Sequence, residues 1–267
     1  MDKTIRLGGG DLFYQDLGVG TPVMLLHGFA EDGAVWDEVA NGLSSMCRVL
    51  VPDLPGSGRS TLSGSAVTME SLAAVLKDLL DSLEIDQCVF IGHSMGGYIT
   101  LAFVEKYPER MRAFGFFHST AYADSEEKKA GRRKSIEFIL AHGAAPYIRQ
   151  STPNLFAAAT REKRPGLVEE MIRRYSAFPS ASLIAYLQAM MARPERLAVL
   201  ENFPRPILFI IGEQDQVVPL ELSLKQAHLP RIAEVQLLAD AGHMGMLEEA
   251  EDGSRMIQQF VNFISLL

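Results

Sequence analysis

Cys88-Val89-Phe90-Ile91-Gly92-His93-Ser94-Met95-Gly96-Gly97 is the stretch on which the reading of this chain turns. Its first four residues form an apolar, β-type run that drives straight into a Gly-x-Ser-x-Gly pattern. A helical pattern then runs from Tyr98 through Leu101, Ala102, Phe103 and Val104. A serine on so sharp a strand-to-helix turn is presented above the sheet. The amides at the start of the helix point at whatever it attacks. Glycine is required at 92 and 96 because a Cβ there would strike the neighbouring strand and helix.

Working outward, strands and helices alternate. Thr4–Leu7 and Leu12–Asp16 read as short strands flanking a Gly8-Gly9-Gly10-Asp11 turn. Val23-Met24-Leu25-Leu26 is a continuous apolar run, as expected of a strand covered on both faces, and it ends in His27-Gly28-Phe29. Trp36, Val39, Ala40 and Leu43 fall at helical spacing, and Val49-Leu50-Val51 is the next buried strand, leading to Pro52-Asp53. An amphipathic helix runs from Met69 to Leu83, and Ala113–Phe117 is a strand after the Gly-x-Ser-x-Gly turn. The alternation stops at about Ser119 and resumes at Pro206. In between, apolar residues recur only at helical spacing, so residues 119–202 are expected to form a helical insertion in a core made of 1–118 and 203–267. The charged runs Glu126-Glu127-Lys128-Lys129 and Arg132-Arg133-Lys134 in that insertion read as a solvated helix face. Ile207–Ile211 and Val235–Leu238 are the last strands, and a closing amphipathic helix is expected from Glu248 to Leu267. Repeated strand–crossover–strand units of this kind imply an α/β fold, with helices on both faces of a mostly parallel sheet.

With 267 residues, the chain is long enough for one large core carrying an insertion. A net charge of −8 argues against nucleic acid or an anionic membrane as partner. No apolar run approaches the roughly 20 residues of a spanning helix, and Met1-Asp2-Lys3-Thr4-Ile5-Arg6 does not read as a signal peptide. The two cysteines, Cys47 and Cys88, lie beside strand-like runs and are expected as buried thiols, which fits a reducing cytoplasm.

A serine hydroxyl is a poor nucleophile at neutral pH. It needs a base within hydrogen-bond reach, and that base needs an orienting acid. In an open parallel sheet the reacting groups gather outside the carboxyl ends of the strands. Asp215 follows the 207–211 strand and His243 follows the 235–238 strand, so the expected catalytic set is Ser94, Asp215 and His243 in that order. Glu213 and Asp240 are weaker competitors for the acid. The oxyanion of an acyl-transfer intermediate needs backbone donors. Met95, directly after the nucleophile, supplies one, and Phe29, after the 23–26 strand, is expected to supply the other. The side chains of Phe29 and Met95 would then help to wall the pocket.

Taken together, His27-Gly28-Phe29, Asp53-Leu54-Pro55-Gly56-Ser57-Gly58-Arg59-Ser60, Gly92-His93-Ser94-Met95-Gly96-Gly97, Gly212-Glu213-Gln214-Asp215 and Gly242-His243 resemble the α/β-hydrolases of the esterase, lactonase and haloperoxidase-like group. The resemblance spans nearly the whole chain outside 119–202. It implies an eight-stranded, mostly parallel sheet flanked by helices, with a helical lid inserted after the sixth strand. It also implies that Asp53, Gly56 and Gly58 form a structural loop beside the site. A serine at the turn, where dehalogenase and epoxide hydrolase relatives carry aspartate, favours acyl transfer. The expected activity is hydrolysis of small to medium carboxylic esters or lactones through an acyl-enzyme on Ser94, with no metal and no cofactor. A lid interior lined by Phe138, Tyr147, Phe156, Tyr175, Tyr186 and Met190 would bind the substrate. Carbon–carbon bond hydrolysis, elimination or perhydrolysis with the same triad is the enzymatic alternative, with Arg149, Arg161 or Arg193 as candidates to hold a substrate carboxylate. A hydrolase-like small-molecule receptor is the non-enzymatic one.

Overall fold

The computed structural model describes residues 1–7, 9–62 and 67–266. Its eight strands are β1 (Asp2–Leu7), β2 (Gly10–Leu17), β3 (Thr21–Leu26), β4 (Cys47–Pro52), β5 (Cys88–His93), β6 (Met111–Phe117), β7 (Ile207–Gly212) and β8 (Ala233–Leu238). They form one sheet in the order β1-β2-β4-β3-β5-β6-β7-β8. The pairs β1–β2 and β2–β4 are antiparallel, and all the others are parallel. Position follows composition. β5 and β7, apolar almost throughout, are buried along their whole length inside the sheet. Mixed β1 and alternating β8 take the two edges, where Val235 and Leu237 stay exposed. Gly8, within the expected 8–11 turn, lies outside the described residues.

The core helices are α1 (Asp37–Leu43), α2 (Met69–Ser82), α3 (Met95–Lys106), and, late in the chain, α10 (Leu220–Ala227), α11 (Gly245–Glu248) and α12 (Ala250–Ser265). The crossover β3–α1–β4 steps one way along the sheet, while β4–α2–β5 and β5–α3–β6 step the other way. With right-handed crossovers this places α1 on one face and α2 and α3 on the opposite face. α12 packs on α1, and α2 packs on α3. The strand order therefore reverses around β3, which opens a crevice beyond the carboxyl ends of β3 and β5.

The chain from β6 to β7 holds six helices: α4 (Glu126–His142), α5 (Ala144–Ser151), α6 (Ala158–Lys163), α7 (Pro165–Tyr175), α8 (Ser180–Ala192) and α9 (Leu197–Asn202). A 3₁₀ turn at Thr152–Leu155 interrupts them, and no strand occurs there among the described residues. α4 packs on α5 and α8. The neck of the insertion is pinned. Arg196 N donates to Ala121 O at 2.9 Å, the Arg196 guanidinium meets Glu70 and Glu105, and buried Gln226 of α10 bonds to both Ser119 O and Ala121 N at 2.8 Å.

Two boundaries differ from expectation. The helix after the serine begins at Met95 and not at Tyr98, so the glycines belong to its first turn. The final helix is broken at Glu249, where the backbone leaves the helical region between α11 and α12. Both cysteines are free and buried. No described helix is long and apolar enough to cross a membrane.

Candidate active site

Ser94 sits between β5 and α3 with φ +48° and ψ −113°, a conformation that L-residues seldom adopt. The strain is held by its surroundings. Ser94 N donates to Phe117 O at 3.1 Å, and Ser94 O accepts from Gly97 N at 3.0 Å and from the Ser119 hydroxyl at 2.7 Å. A Cβ on Gly92 would come within 2.5 Å of the Gly96 carbonyl carbon, and one on Gly96 within 2.5 Å of Leu26 O. Glycine is thus the only residue that lets strand, turn and helix approach this closely.

Asp215 follows β7 and is buried. Its Oδ1 accepts from Val217 N (2.7 Å) and Val218 N (3.0 Å), and its Oδ2 faces His243 Nδ1 at 2.8 Å. Burial works to raise the Asp215 pKa, but His243 and the other favourable partners outweigh it and hold the carboxyl at about 2. An ionised carboxylate can only accept, so Nδ1 of His243 carries the proton and Nε2 keeps a basic lone pair. Burial opposes charging of His243, but Asp215 overcomes this and raises its pKa above the ordinary histidine value. The competitors fall away, since Glu213 and Asp240 are both exposed.

His118, also buried, lies 3.7 Å from Asp215 Oδ2, yet its Nδ1 accepts from Gly212 N at 2.9 Å. It therefore cannot donate to Asp215 through that atom. Burial drives its pKa down to about 3 and keeps it neutral. The residue before Ser94 has a definite place as well. His93 Nε2 donates to the His243 carbonyl at 2.9 Å, and His93 Nδ1 lies 3.1 Å from Glu31 Oε2. Gly28 N also donates to that oxygen, at 2.8 Å, so Glu31 and His93 fasten the β3 loop to the backbone of His243. The loop is further latched by His27, which accepts from Leu54 N at 3.0 Å. Asp53 takes the amides of Gly33 and Arg59, each at 2.8 Å.

Ser94 and His243 line one cavity of about 110 Å³. Phe29, Tyr98, Arg132, Tyr147, Tyr175 and Met190 are also on its wall. No hydrogen bond joins the Ser94 hydroxyl to His243 among the described residues, and such contacts are often long until substrate binds. Neither Phe29 N nor Met95 N donates to a protein acceptor among the described residues. Of the side chains expected to line the pocket, Phe29, Tyr147, Tyr175 and Met190 do so. Three residues of the insertion do not. Phe138 stacks on His142 with centroids 4.6 Å apart and lines a separate outer groove. Tyr186 is fully buried, and its hydroxyl bonds to Pro55 O (2.7 Å) and Ser57 (3.0 Å), so it packs the insertion onto the 53–60 loop. Phe156 is buried away from the cavity, and the Met95 side chain is likewise core. All four are apolar or aromatic, and that character alone does not separate core from cavity.

The arginines also sort differently from expectation. Arg149 and Arg161 are exposed, and Arg193 is buried against Asp124. Arg132, from the run read as a solvated face, is instead on the cavity wall. Its spacing of four and seven residues from Ile136 and buried Ile139 was the available signal. Glu31 and Tyr98 were missed too, and no local pattern marks them.

Residues 23–253 match the alpha/beta hydrolase family, and the chain belongs to that family. A solved thermophilic esterase from Thermogutta terrifontis superposes with a TM-score of 0.93 over 99% of both chains at 28% identity. The enol-lactonase of Burkholderia xenovorans shares the fold with a TM-score of 0.89 at 22% identity, over 97% of this chain and 100% of that one. Among curated proteins, a 2-hydroxy-6-oxo-2,4-heptadienoate hydrolase of Pseudomonas putida is 28% identical over 97% of this chain and 95% of its own. A pimeloyl-[acyl-carrier protein] methyl ester esterase of Vibrio vulnificus is 26% identical over 94% and 98%.

Proposed function

We propose that the protein hydrolyses small carboxylic esters or lactones through an acyl-enzyme on Ser94. The observation that carries this is the ionised Asp215 at 2.8 Å from His243 Nδ1, with His243 and a strained serine on one cavity wall. In this reading Ser94 Oγ attacks the carbonyl carbon while His243 Nε2 takes its proton. His243 then returns the proton to the leaving alcohol, and water repeats the sequence to free the acid. Asp215 fixes the imidazole and stabilises its charged form. The Phe29 and Met95 amides receive the oxyanion, and losing one such donor costs on the order of 3 kcal/mol of transition-state stabilisation. The cavity is small, about 110 Å³, which favours short acyl or alcohol groups. The likeness to esterases and an enol-lactonase supports the same class of substrate.

In this reading the insertion is a lid. His243 N donates to Leu155 O at 2.7 Å, and Glu248 accepts from both Gly242 N and Ala157 N at 2.8 Å, so the base loop is tied directly to it. The deciding experiment is rapid-quench mass spectrometry with p-nitrophenyl acetate and butyrate. An acyl adduct on Ser94 is expected, and an adduct on any other residue, or turnover by Ser94→Ala at close to the wild-type rate, would overturn the assignment.

A further inference from the structure

Arg132 projects from α4 onto the same cavity wall as Ser94 and His243. Its Nε donates to Asp124 Oδ2 at 2.6 Å and its Nη2 to Asp124 Oδ1 at 3.4 Å. The same buried carboxylate also takes Arg193 Nη1 at 2.9 Å. Arg193 has both terminal nitrogens taken: Nη1 donates to Met190 O and Nη2 to Tyr122 O, and its guanidinium lies 3.7 Å over the Tyr98 ring. Arg132 does not. Its Nη1 has no protein acceptor among the described residues.

The charges leave a surplus. Two guanidiniums share one carboxylate, so this part of the wall carries one uncompensated positive charge. Glu31, on the same cavity, does not cancel it. His93 Nε2 must donate to the His243 carbonyl, and a single further proton lies between His93 Nδ1 and Glu31, so that pair is neutral whichever atom holds it. Asp215 is ionised beside a neutral His243, and its charge is answered by Lys128, which donates to Val217 O of the same cavity at 3.2 Å and feels both Asp215 and Asp124. A charge at the wall of a small cavity is poorly solvated and is best compensated by a ligand of opposite sign. A guanidinium with a free edge suits a planar, two-oxygen anion.

We propose that the physiological ester or lactone carries a second, free carboxylate, which pairs with Arg132 while its ester carbonyl lies at Ser94. The inference rests on the hydrolase reading of Ser94. The carboxylate is a spectator. The ester C–O bond breaks, water supplies OH to the acyl carbon and H to the alkoxide, and the product acid is a short dicarboxylate when the anion is on the acyl side. Arg132 is then a specificity residue, and the limited volume requires the two groups to be separated by a short chain.

The test compares monomethyl succinate with methyl 4-methylpentanoate, in which an isopropyl group replaces the carboxylate. Wild-type kcat/KM is expected to favour the anionic ester at least tenfold, and Arg132→Gln to lower that ratio by roughly 10²-fold. A ratio unchanged within threefold in Arg132→Gln overturns the proposal. If that variant does not fold, the wild-type ratio decides, and parity or preference for the neutral ester overturns it. If the wild type cleaves neither ester, the hydrolase reading is the one at fault, and the anion site is read by calorimetry of succinate with Ser94→Ala. Binding lost in Ser94→Ala/Arg132→Gln supports the site, and no binding to Ser94→Ala overturns it.

Discussion

The loops at the carboxyl ends of the strands and the helical insertion above them hold their residues in different ways. In the loops, each chemically important group is tied to backbone. Asp215 takes two amides, Ser94 is bonded through both its N–H and its C=O, and His243 is fastened through its carbonyl and its amide. In the insertion, the cavity-facing Tyr147, Met171 and Met190 are placed by helix packing, and Arg132 by one carboxylate. Backbone ties survive most changes of side chain, whereas packing does not. In the proposed reading chemistry belongs to the first region and selectivity to the second, and that division can be broken from either side.

The largest expected effect is at Ser94. Ser94→Ala should lower p-nitrophenyl acetate turnover by several orders of magnitude with an unchanged far-ultraviolet spectrum, because triad members act as a unit. Retained activity would remove chemistry from the loop region altogether. Asp215→Asn should cost roughly 10⁴-fold in kcat through loss of the correct histidine tautomer. Exposed Glu213→Gln should stay close to wild type. A silent Asp215→Asn with a crippled Glu213→Gln would move the acid.

In the insertion, graded changes are expected. One methylene in an apolar pocket is worth about 1–3 kcal/mol. Met190→Ala and Tyr147→Ala should therefore shift the preferred chain length in an ester panel by tenfold or more in relative kcat/KM. Tyr186→Phe should instead leave the preference alone and lower stability by about 1 kcal/mol in urea unfolding, since it removes the donor to the half-buried Pro55 carbonyl. An altered preference in Tyr186→Phe would mean that the two roles are not separable.

The pH dependence sharpens the same contrast. His243 must be neutral to act as a base, and its pKa is raised, so kcat/KM should climb with pH along a limb centred above 6.5. In Asp215→Asn that limb should move to lower pH, because the raising partner is gone while burial remains. A limb that stays in place would detach His243 from Asp215. The smallest effect concerns stability. His118 has a folded pKa of about 3, below the ordinary 6.5, so its contribution is complete above pH 6.5 and is lost as pH falls towards 3. The unfolded chain binds a proton there that the folded chain refuses, worth up to about 1.4 kcal/mol per pH unit. His118→Gln should unfold less steeply with acid over that window, and an equal slope in both proteins would show that His118 is charged in the fold.

Much of this was already legible in the chain. Apolar runs placed β3, β5 and β7, the Gly-x-Ser-x-Gly turn placed Ser94, and strand ends placed Asp215 and His243, because local periodicity and backbone demands are written in neighbouring residues. What the tertiary structure decided depends on which residues meet across long stretches of chain. It set Arg132 facing in and Phe138 facing out from the same helix, spent the Tyr186 hydroxyl on Pro55 131 residues away, and made Glu31 and His93 a brace for a loop 150 residues beyond His93. A helical pattern says that one face is apolar. Whether that face meets a core or a cavity is settled only by the packing of other helices against it.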